Sequence, residues 1–183
     1  VDSESLSLIE PTVLTSSYQL SDYNGYNISC NGFSDGTIDI DINGGSPPYD
    51  FAWNNGLVLE DIDSLIASSY SLIITDTNGC KAYDTIVLTE PIALQASVQS
   101  INNFNGFDIS CFNFTDGEIN LNVSGSVPPY TYLWNTLDTS TSLMNIGSGN
   151  YNVAILHNNG CVDSLDIYLS EPTPLQATII LSD

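Results

Sequence analysis

The chain of 183 residues has almost no basic side chains. Lys81 is the single Lys or Arg against 22 Asp and Glu residues, so the formal net charge is −21. A surface this acidic repels nucleic acid and anionic lipid, and we expect neither as a partner. The sequence also lacks a run of about 20 apolar residues, the length that a membrane-spanning helix needs, so we expect no membrane insertion.

Side chains suited to catalysis are equally scarce. His157 is the single His, and the sequence contains neither a Gly-Xaa-Ser-Xaa-Gly motif nor a Gly-rich phosphate loop. Carboxylates are plentiful, but this composition brings some of them together by chance. We therefore expect no enzymatic activity and no cofactor.

What the sequence does contain is an internal repeat. Pro-Pro-Tyr-Asp-Phe-Ala-Trp at 47–53 returns as Pro-Pro-Tyr-Thr-Tyr-Leu-Trp at 128–134, and we call the difference in numbering, 128 − 47 = 81, the repeat offset. Aromatic residues fall on every second position of each copy, which places them on one face of a strand. An aromatic strand that ends in Trp is typical of the core of an immunoglobulin-like sandwich, so we predict that Trp53 and Trp134 are core residues.

Other elements keep the same register. Asn-Gly pairs at 24–25 and 105–106 predict hairpins, and Tyr70 and Tyr151 fit the tyrosine corner at the start of a late strand. About seven short strands per unit, without helical periodicity, indicate an all-β fold. We predict two tandem immunoglobulin-like (PKD-like) β-sandwich repeats in an elongated array, with Tyr70 and Tyr151 in their cores.

A Glu-Pro pair ends each unit, so we place the repeats at 12–91 and 92–172. Residues 1–11 are interpreted as the last strand of a preceding repeat, with the strand at 5–9. Residues 173–183 are interpreted as the first strand of a following repeat, with the strand at 175–181. Two hypotheses account for these flanking strands: a longer covalent array, or separate chains that polymerise by donating a strand.

Both units carry the same ordered set of motifs. Unit one supplies Cys30, Ser34-Asp35-Gly36, Gly44-Gly45, Pro48-Tyr49, Trp53, Tyr70, Asn78-Gly79-Cys80 and Glu90-Pro91. Unit two supplies Cys111, Thr115-Asp116-Gly117, Gly125, Pro129-Tyr130, Trp134, Tyr151, Asn159-Gly160-Cys161 and Glu171-Pro172. This set resembles the SprB-type repeat of very large cell-surface adhesins of gliding Bacteroidota.

The resemblance implies extracellular display at the cell surface after type IX secretion. It also implies a non-catalytic stalk or spacer of an adhesin or surface fibre that serves attachment or gliding, with neighbouring repeats of the same chain as partners. Unit two departs from the pattern at Ser126 and Leu137, which stand where Gly is favoured, and at His157, which stands where unit one has Asp76.

A glycan-binding accessory module is the alternative hypothesis, because secreted β-sandwiches often bind sugars on exposed aromatic side chains. Its partner would be a surface polysaccharide or another glycan. The candidate residues are Tyr18, Tyr23, Phe33 and Tyr83 in unit one and Phe104, Phe112 and Phe114 in unit two.

Four cysteines allow three pairings. The repeat offset favours Cys30 with Cys80 and Cys111 with Cys161, and we expect the members of each pair to lie near one end of their sandwich. Closing a loop of about 51 residues would stabilise each small unit by about 4 kcal/mol through chain entropy. Zinc is the competing interpretation, but the sequence lacks a Cys-Xaa-Xaa-Cys pair. Disulfides would also indicate an oxidising compartment.

Asp35 and Asp116 are candidate calcium ligands, since carboxylates are preferred by this ion. Their simpler interpretation is turn formation with the following Gly. Asp39 and Asp41 become Asn in the second copy, which argues against a calcium site common to the repeats.

Proteins of Bacteroidota also carry an O-glycosylation signal of Asp, then Ser or Thr, then an apolar residue. Its candidate acceptors here are Ser64, Thr85 and Ser164.

Overall fold

The structure, a computed structural model, describes residues 9–179. The chain divides between Pro91 and Ile92 into two compact units, which are described separately below. The predicted all-β class is confirmed. Across the described range, no helix has the length and apolar character required to cross a membrane.

Unit one consists of two three-stranded antiparallel sheets. Its strands are β1 (Thr15–Leu20), β2 (Gly36–Asn43), β3 (Tyr49–Trp53), β4 (Ile62–Leu65), β5 (Ser69–Asp76) and β6 (Lys81–Val87). One sheet has the order β1-β2-β4 and the other β3-β5-β6. Side chains from both sheets form one core, which gives the immunoglobulin-like sandwich that the sequence predicts.

Unit two repeats this arrangement. Its strands are β7 (Gln95–Ile101), β8 (Gly117–Ser124), β9 (Tyr130–Trp134), β10 (Ser142–Ile146), β11 (Gly149–His157) and β12 (Val162–Leu169). One sheet has the order β7-β8-β10 and the other β9-β11-β12. A second, separate core fills this sandwich.

The two Trp side chains are the largest members of these cores. Trp53 is 5% exposed and Trp134 is 1% exposed. A buried indole N–H needs an acceptor, and each one finds it six residues further along the chain. Trp53 Nε1 donates to the Leu59 carbonyl at 2.8 Å, and Trp134 Nε1 donates to the Ser140 carbonyl at 2.9 Å. The indole therefore fixes the path of the loop that follows its strand.

The predicted tyrosine corner is present in both units. The Tyr70 hydroxyl donates to the Ile66 carbonyl at 3.0 Å, and the Tyr151 hydroxyl donates to the Gly147 carbonyl at 2.9 Å. Tyr70 is buried, whereas Tyr151 is half-buried. Burial raises the pKa of both phenols. Each phenol thus holds the segment four residues before it against the late strand.

Gly44 and Gly125 are required where the chain enters each sandwich. Both have positive φ, 78° and 82°. A Cβ at Gly44 would lie 2.1 Å from the Val13 carbonyl oxygen, and one at Gly125 would lie 1.8 Å from that of Ala93. Any larger residue would push the entering segment off the sheet.

Two expectations about local structure need correction. The Asn24-Gly25 turn forms, with the Tyr23 N–H donating to the Tyr26 carbonyl at 2.7 Å, but strands do not continue from both sides of it. Within the described residues each unit therefore has six strands, fewer than the seven expected. Residues 26–30, which follow the turn, form no strand, because the N–H groups of Asn27 and Ile28 share one acceptor, the Thr89 carbonyl, instead of forming a ladder.

Neither of the two expected flanking strands is seen within residues 9–179. Of the strand expected at 5–9, all but Ile9 lies outside the described residues, and Ile9 is in no strand. Of the strand expected at 175–181, residues 175–179 are described and are in no strand. A strand is defined by its ladder partner, and the described residues supply none to this segment.

Leu137 offers a test of local strain. It has φ of 68° and is 83% exposed, in the turn where unit one has Gly56 at φ of 87°. A side chain in the left-handed region costs about 1–2 kcal/mol. We expect Leu137→Gly to raise the urea midpoint of unit two by an amount equivalent to about 1 kcal/mol, and the matched Gly56→Leu to lower that of unit one. Trp fluorescence reports both, and no change in either variant would contradict the assignment of strain.

Candidate functional site

The two ends of each unit carry its polar chemistry. We call the end where the chain enters a sandwich the entry end, near residues 11–14 in unit one and 92–94 in unit two. The exit end is where the chain leaves, at Glu90-Pro91 and at Glu171-Pro172. The Gly45 N–H donates to the Thr12 carbonyl at 2.9 Å, which holds the entering segment of unit one against the loop after β2.

A buried carboxylate organises the entry end of unit one. Asp76, at the end of β5, is 4% exposed. It accepts the backbone N–H groups of Ser46 at 3.0 Å, Asn78 at 2.9 Å and Cys80 at 2.8 Å. The turn between β5 and β6 is thereby tied to the loop that precedes β3. This bracing role was not predicted, although an Asp two residues before an Asn-Gly turn is a recognisable sequence signal.

The titration of Asp76 follows from these contacts. Burial alone would raise its pKa, but the N–H donors of Cys80, Ser46 and Asn78 outweigh burial and hold the pKa below the ordinary value of 3.8. Since the folded-state pKa is depressed, the stabilisation is fully present above the ordinary value. It is lost as the pH falls through the folded-state pKa.

His157 occupies the equivalent position in unit two. It is 4% exposed, its Nδ1 accepts the Asn159 N–H at 3.3 Å, and that nitrogen lies 3.9 Å from Cys161 Sγ. Its buried Nε2 has no partner among the described residues. An imidazole ring has fewer acceptor sites than a carboxylate, so His157 can accept from fewer N–H groups than Asp76 does.

Asp35 and Asp116, the candidate calcium ligands, each brace a loop. Asp35 Oδ1 accepts the Ser29 N–H at 3.1 Å, and Asp116 Oδ1 accepts the Ser110 N–H at 3.2 Å. A hydrogen bond from the Ser110 side chain is the main reason that the pKa of Asp116 lies below its ordinary value, and the Ser110 N–H lowers it further. Each carboxylate therefore reaches six residues back to close the loop before β2 or β8.

The other acidic candidates are not gathered around a common centre. Asp39 and Asp41 lie exposed on β2, and the neighbouring Asp61 carboxylate raises the pKa of Asp39. Residues 9–179 contain no cluster of three or more His, Cys, Asp or Glu side chains arranged to hold a metal ion.

The Glu of each Glu-Pro pair closes the exit end, a role that the sequence did not suggest. Glu90 accepts the Gly32 N–H at 2.6 Å and the Asn31 side-chain amide at 3.0 Å. Glu171 accepts the Asn113 N–H at 2.7 Å. Gly32 and Asn113 are related by the repeat offset, so the same contact forms in both units. In each unit, the Glu joins the departing chain to the loop after the first Cys.

The structure forms neither disulfide pair that we expected within a unit. Cys80 and Cys111 are exposed free thiols, whereas Cys30 and Cys161 are buried and disulfide-bonded. The physical reason is that the two cysteines of a unit lie at opposite ends of it. Cys80 adjoins Asp76 at the entry end, while Cys30 precedes the loop that Glu90 closes at the exit end.

The candidate glycan-binding aromatics do not form one surface. Tyr18 lies on β1 and Tyr83 on β6, which belong to different sheets of unit one. Tyr23 is half-buried and its hydroxyl donates to the Asp35 carbonyl. Phe33 and Phe114 do occupy equivalent positions and are 46% and 54% exposed. Phe104 and Phe112 are also exposed, in the loops before β8.

The candidate O-glycosylation acceptors Ser64, Thr85 and Ser164 are all exposed. Ser64 donates its hydroxyl hydrogen bond to the preceding Asp63 at 2.8 Å. The side chain of Asp163 is engaged by backbone N–H groups, including that of Ser164 at 2.8 Å.

Exchanging the buried groups at the entry ends tests their roles. Asp76→Asn should lower the melting temperature of unit one at pH 7, because an uncharged amide replaces the carboxylate that three N–H groups contact. The difference from the wild type should shrink as the pH falls below 3.8, where the wild-type carboxylate protonates. His157→Asp is the matched change and should raise the melting temperature of unit two. Calorimetry measures both, and a pH-independent Asp76→Asn effect would contradict the assignment.

Comparison with known families agrees with this geometry. A family profile described as the SprB repeat matches residues 26–58 and 107–139, two segments related by the repeat offset. Each segment runs from the exit-end loop through the Trp strand, and the resemblance expected from the motifs is confirmed. No curated protein matches the chain. The SprB repeat profile thus matches one segment in each unit, which is consistent with two tandem copies.

Proposed function

We propose that the two units are non-catalytic stalk or spacer repeats of a large extracellular adhesin or surface fibre. In this proposal they are delivered to the cell surface by type IX secretion, and they position the part of the protein that attaches the cell or drives gliding. SprB repeats belong to surface proteins of Bacteroidota, which supports the general class.

One observation carries the proposal. The residues that build the sandwich and close its ends recur at the repeat offset. They are the indole that fills the core, the phenol of the tyrosine corner, the Gly at the entry, the Asp that braces the loop and the Glu of the exit. What repeats is thus a scaffold, as a spacer requires.

The glycan-binding alternative has one observation in its favour. Phe33 and Phe114 are exposed at equivalent positions, as a binding site present once per repeat would require. Against it, Tyr18 and Tyr83 have Gln99 and Ser164 as their counterparts, so no wider aromatic surface is repeated. Two Phe side chains alone are a small contact for a sugar, which also needs hydrogen-bonding partners.

We further propose that Ser64, Thr85 and Ser164 accept O-linked glycans. Their exposure and the preceding Asp support this. Glycans on a stalk would add bulk and solubility without requiring a binding site.

The spacer proposal is tested in the parental surface protein. Removing one period, residues 92–172, should leave secretion and attachment within about twofold of the wild type while shortening the distance of the far end from the cell. The paired variant Phe33→Ala with Phe114→Ala should leave attachment unchanged. Attachment assays and electron microscopy of the surface fibres measure these effects. A tenfold loss of attachment in the paired variant, with the fold preserved, would favour glycan binding instead.

Calcium should have no specific effect on stability, because Asp35 and Asp116 already use their carboxylates to accept backbone N–H groups. Thermal melts with calcium and with magnesium at equal ionic strength should coincide. A calcium-specific rise of about 4–8 °C, which corresponds to about 1 kcal/mol in a domain of this size, would refute this expectation.

A further inference from the structure

The exit end of unit one carries an Asn-Gly pair, a sequence that is prone to spontaneous deamidation. In such a pair the backbone nitrogen of the Gly can attack the side-chain amide carbon of the Asn, because Gly offers no side chain to hinder the approach. Asn31-Gly32 lies exposed in the loop after Cys30. Gly32 has φ of 77°, which few residue types other than Gly tolerate. Unit two places Asn113 there, at φ of 60°, after Phe112, so it has no Asn-Gly pair at this position.

Glu90 holds both of the groups that would react. Its Oε2 accepts the Gly32 N–H at 2.6 Å, and this nitrogen is the one that would attack. Its Oε1 accepts the Asn31 side-chain amide at 3.0 Å, and this amide nitrogen is the group that would leave. The same amide also donates to the Pro91 carbonyl at 3.2 Å.

This arrangement opposes the reaction. Attack requires the Gly32 nitrogen to lose its proton and to turn towards the amide carbon of Asn31. The carboxylate of Glu90 holds the N–H towards itself through a charge-assisted hydrogen bond. Its negative charge also disfavours the negative charge that develops on the nitrogen as the proton leaves. The contact therefore keeps the pair in an unreactive geometry.

The Asn-Gly pairs that form tight turns are held in a different way. The N–H of each such Gly donates to a group three residues earlier, as is seen for Gly25, Gly56, Gly79, Gly106 and Gly160. These contacts are local and need only the turn itself. Glu90 is 58 residues from Gly32, so the restraint on this pair exists only when the exit end of unit one is folded.

We propose that Asn31 is a deamidation site of unit one and that Glu90 restrains its reaction in the folded protein. The exposed loop makes the site accessible to water, and closure of the exit end makes it slow to react. Opening of that end releases the Gly32 nitrogen and the Asn31 amide together, so the site converts a transient opening into a permanent covalent change.

The reaction needs only water as a co-reactant. The Gly32 nitrogen forms a bond to Asn31 Cγ, and the bond between Cγ and Nδ2 breaks. Nδ2 leaves as ammonia with the proton that the Gly32 nitrogen gives up. The resulting succinimide ring takes up one water molecule, which opens it at one of its two carbonyl carbons to give an aspartyl or an isoaspartyl residue. No electrons are exchanged.

The product weakens the closure of the exit end. A carboxylate at position 31 cannot donate to Glu90 as the amide does, and it adds a second negative charge beside Oε1. An isoaspartyl residue also lengthens the backbone of the loop by one carbon. Unit two keeps its corresponding contact, between Glu171 and Asn113, because it has no Asn-Gly pair there.

Peptide mass spectrometry of the whole chain, incubated at neutral pH, measures the rate at each Asn-Gly pair. Glu90→Gln should raise the rate at Asn31 about tenfold, as expected when a hydrogen bond to a charged group is lost. The rate at Asn78, in the turn at the entry end, should not change. Glu171→Gln is the matched control and should leave the rate at Asn31 unchanged. An unchanged rate at Asn31 in Glu90→Gln would overturn the proposal.

The wild-type chain decides the question if Glu90→Gln unfolds unit one, which a parallel rise at Asn78 would reveal. The rate at Asn31 is compared in native buffer and in urea that unfolds the unit. Urea should raise it about tenfold or more, because the Glu90 contact exists only in the folded unit. Equal rates in the two conditions would refute the restraint.

The effect of the product on the exit end is measured separately. Asn31→Asp should lower the melting temperature of unit one more than Asn31→Ala does, because only the former adds a charge beside Glu90. This difference should disappear when both changes are made in the Glu90→Gln background. A difference that persists there, or equal melting temperatures in the wild-type background, would contradict the proposed repulsion.

Discussion

The rest of each unit depends on the burial of one indole between two small sheets. With only three strands a sheet, the core is one layer of side chains thick, and Trp53 or Trp134 fills its centre. The indole N–H must be satisfied in that layer, and its bond to the carbonyl six residues later fixes the loop that carries the chain from one sheet to the other. Burying a large aromatic side chain contributes about 1.5–3 kcal/mol, a large share of the stability of a domain of about 80 residues. The side-chain hydrogen bonds of Asp35, Asp76 and Glu90 lie instead at the ends of unit one.

The sequence predicted what depends on alternation and on repeated spacing. The repeat offset, the inward faces of β2 and β3, the Trp positions and the tyrosine corners all follow from local patterns that a strand imposes on its own residues. The polar contacts at the ends were harder to predict, because they join residues from distant parts of the chain. Glu90 meets Gly32, and Asp76 meets Ser46, only once the strands between them are in place. The Glu-Pro motif was visible in the sequence, but it could be interpreted only as a joint.

The cysteine pairing shows why spacing alone is insufficient. Four strands separate Cys30 from Cys80, and if successive strands alternated in direction, the two cysteines would lie at the same end. They do not alternate. β3 pairs antiparallel with β5, and β4 pairs antiparallel with β2. β2 and β5 run the same way, since Gly45 after β2 meets Asp76 at the end of β5. β3 and β4 therefore run the same way too, and this one break in alternation carries Cys80 to the far end. Only the assignment of strands to sheets reveals it.

Three of the differences between the two copies fall at turns. Leu137 replaces Gly56, Ser126 replaces Gly45, and His157 replaces Asp76, whereas the indoles and corner tyrosines are unchanged. A residue with positive φ or an unsatisfied buried nitrogen costs about 1–3 kcal/mol, which a sandwich with an intact core can tolerate. Losing the indole would remove the layer that both sheets share. The entry end of unit two thus combines a Ser at φ of 48°, an imidazole with one nitrogen unpartnered among the described residues, and a bonded Cys161.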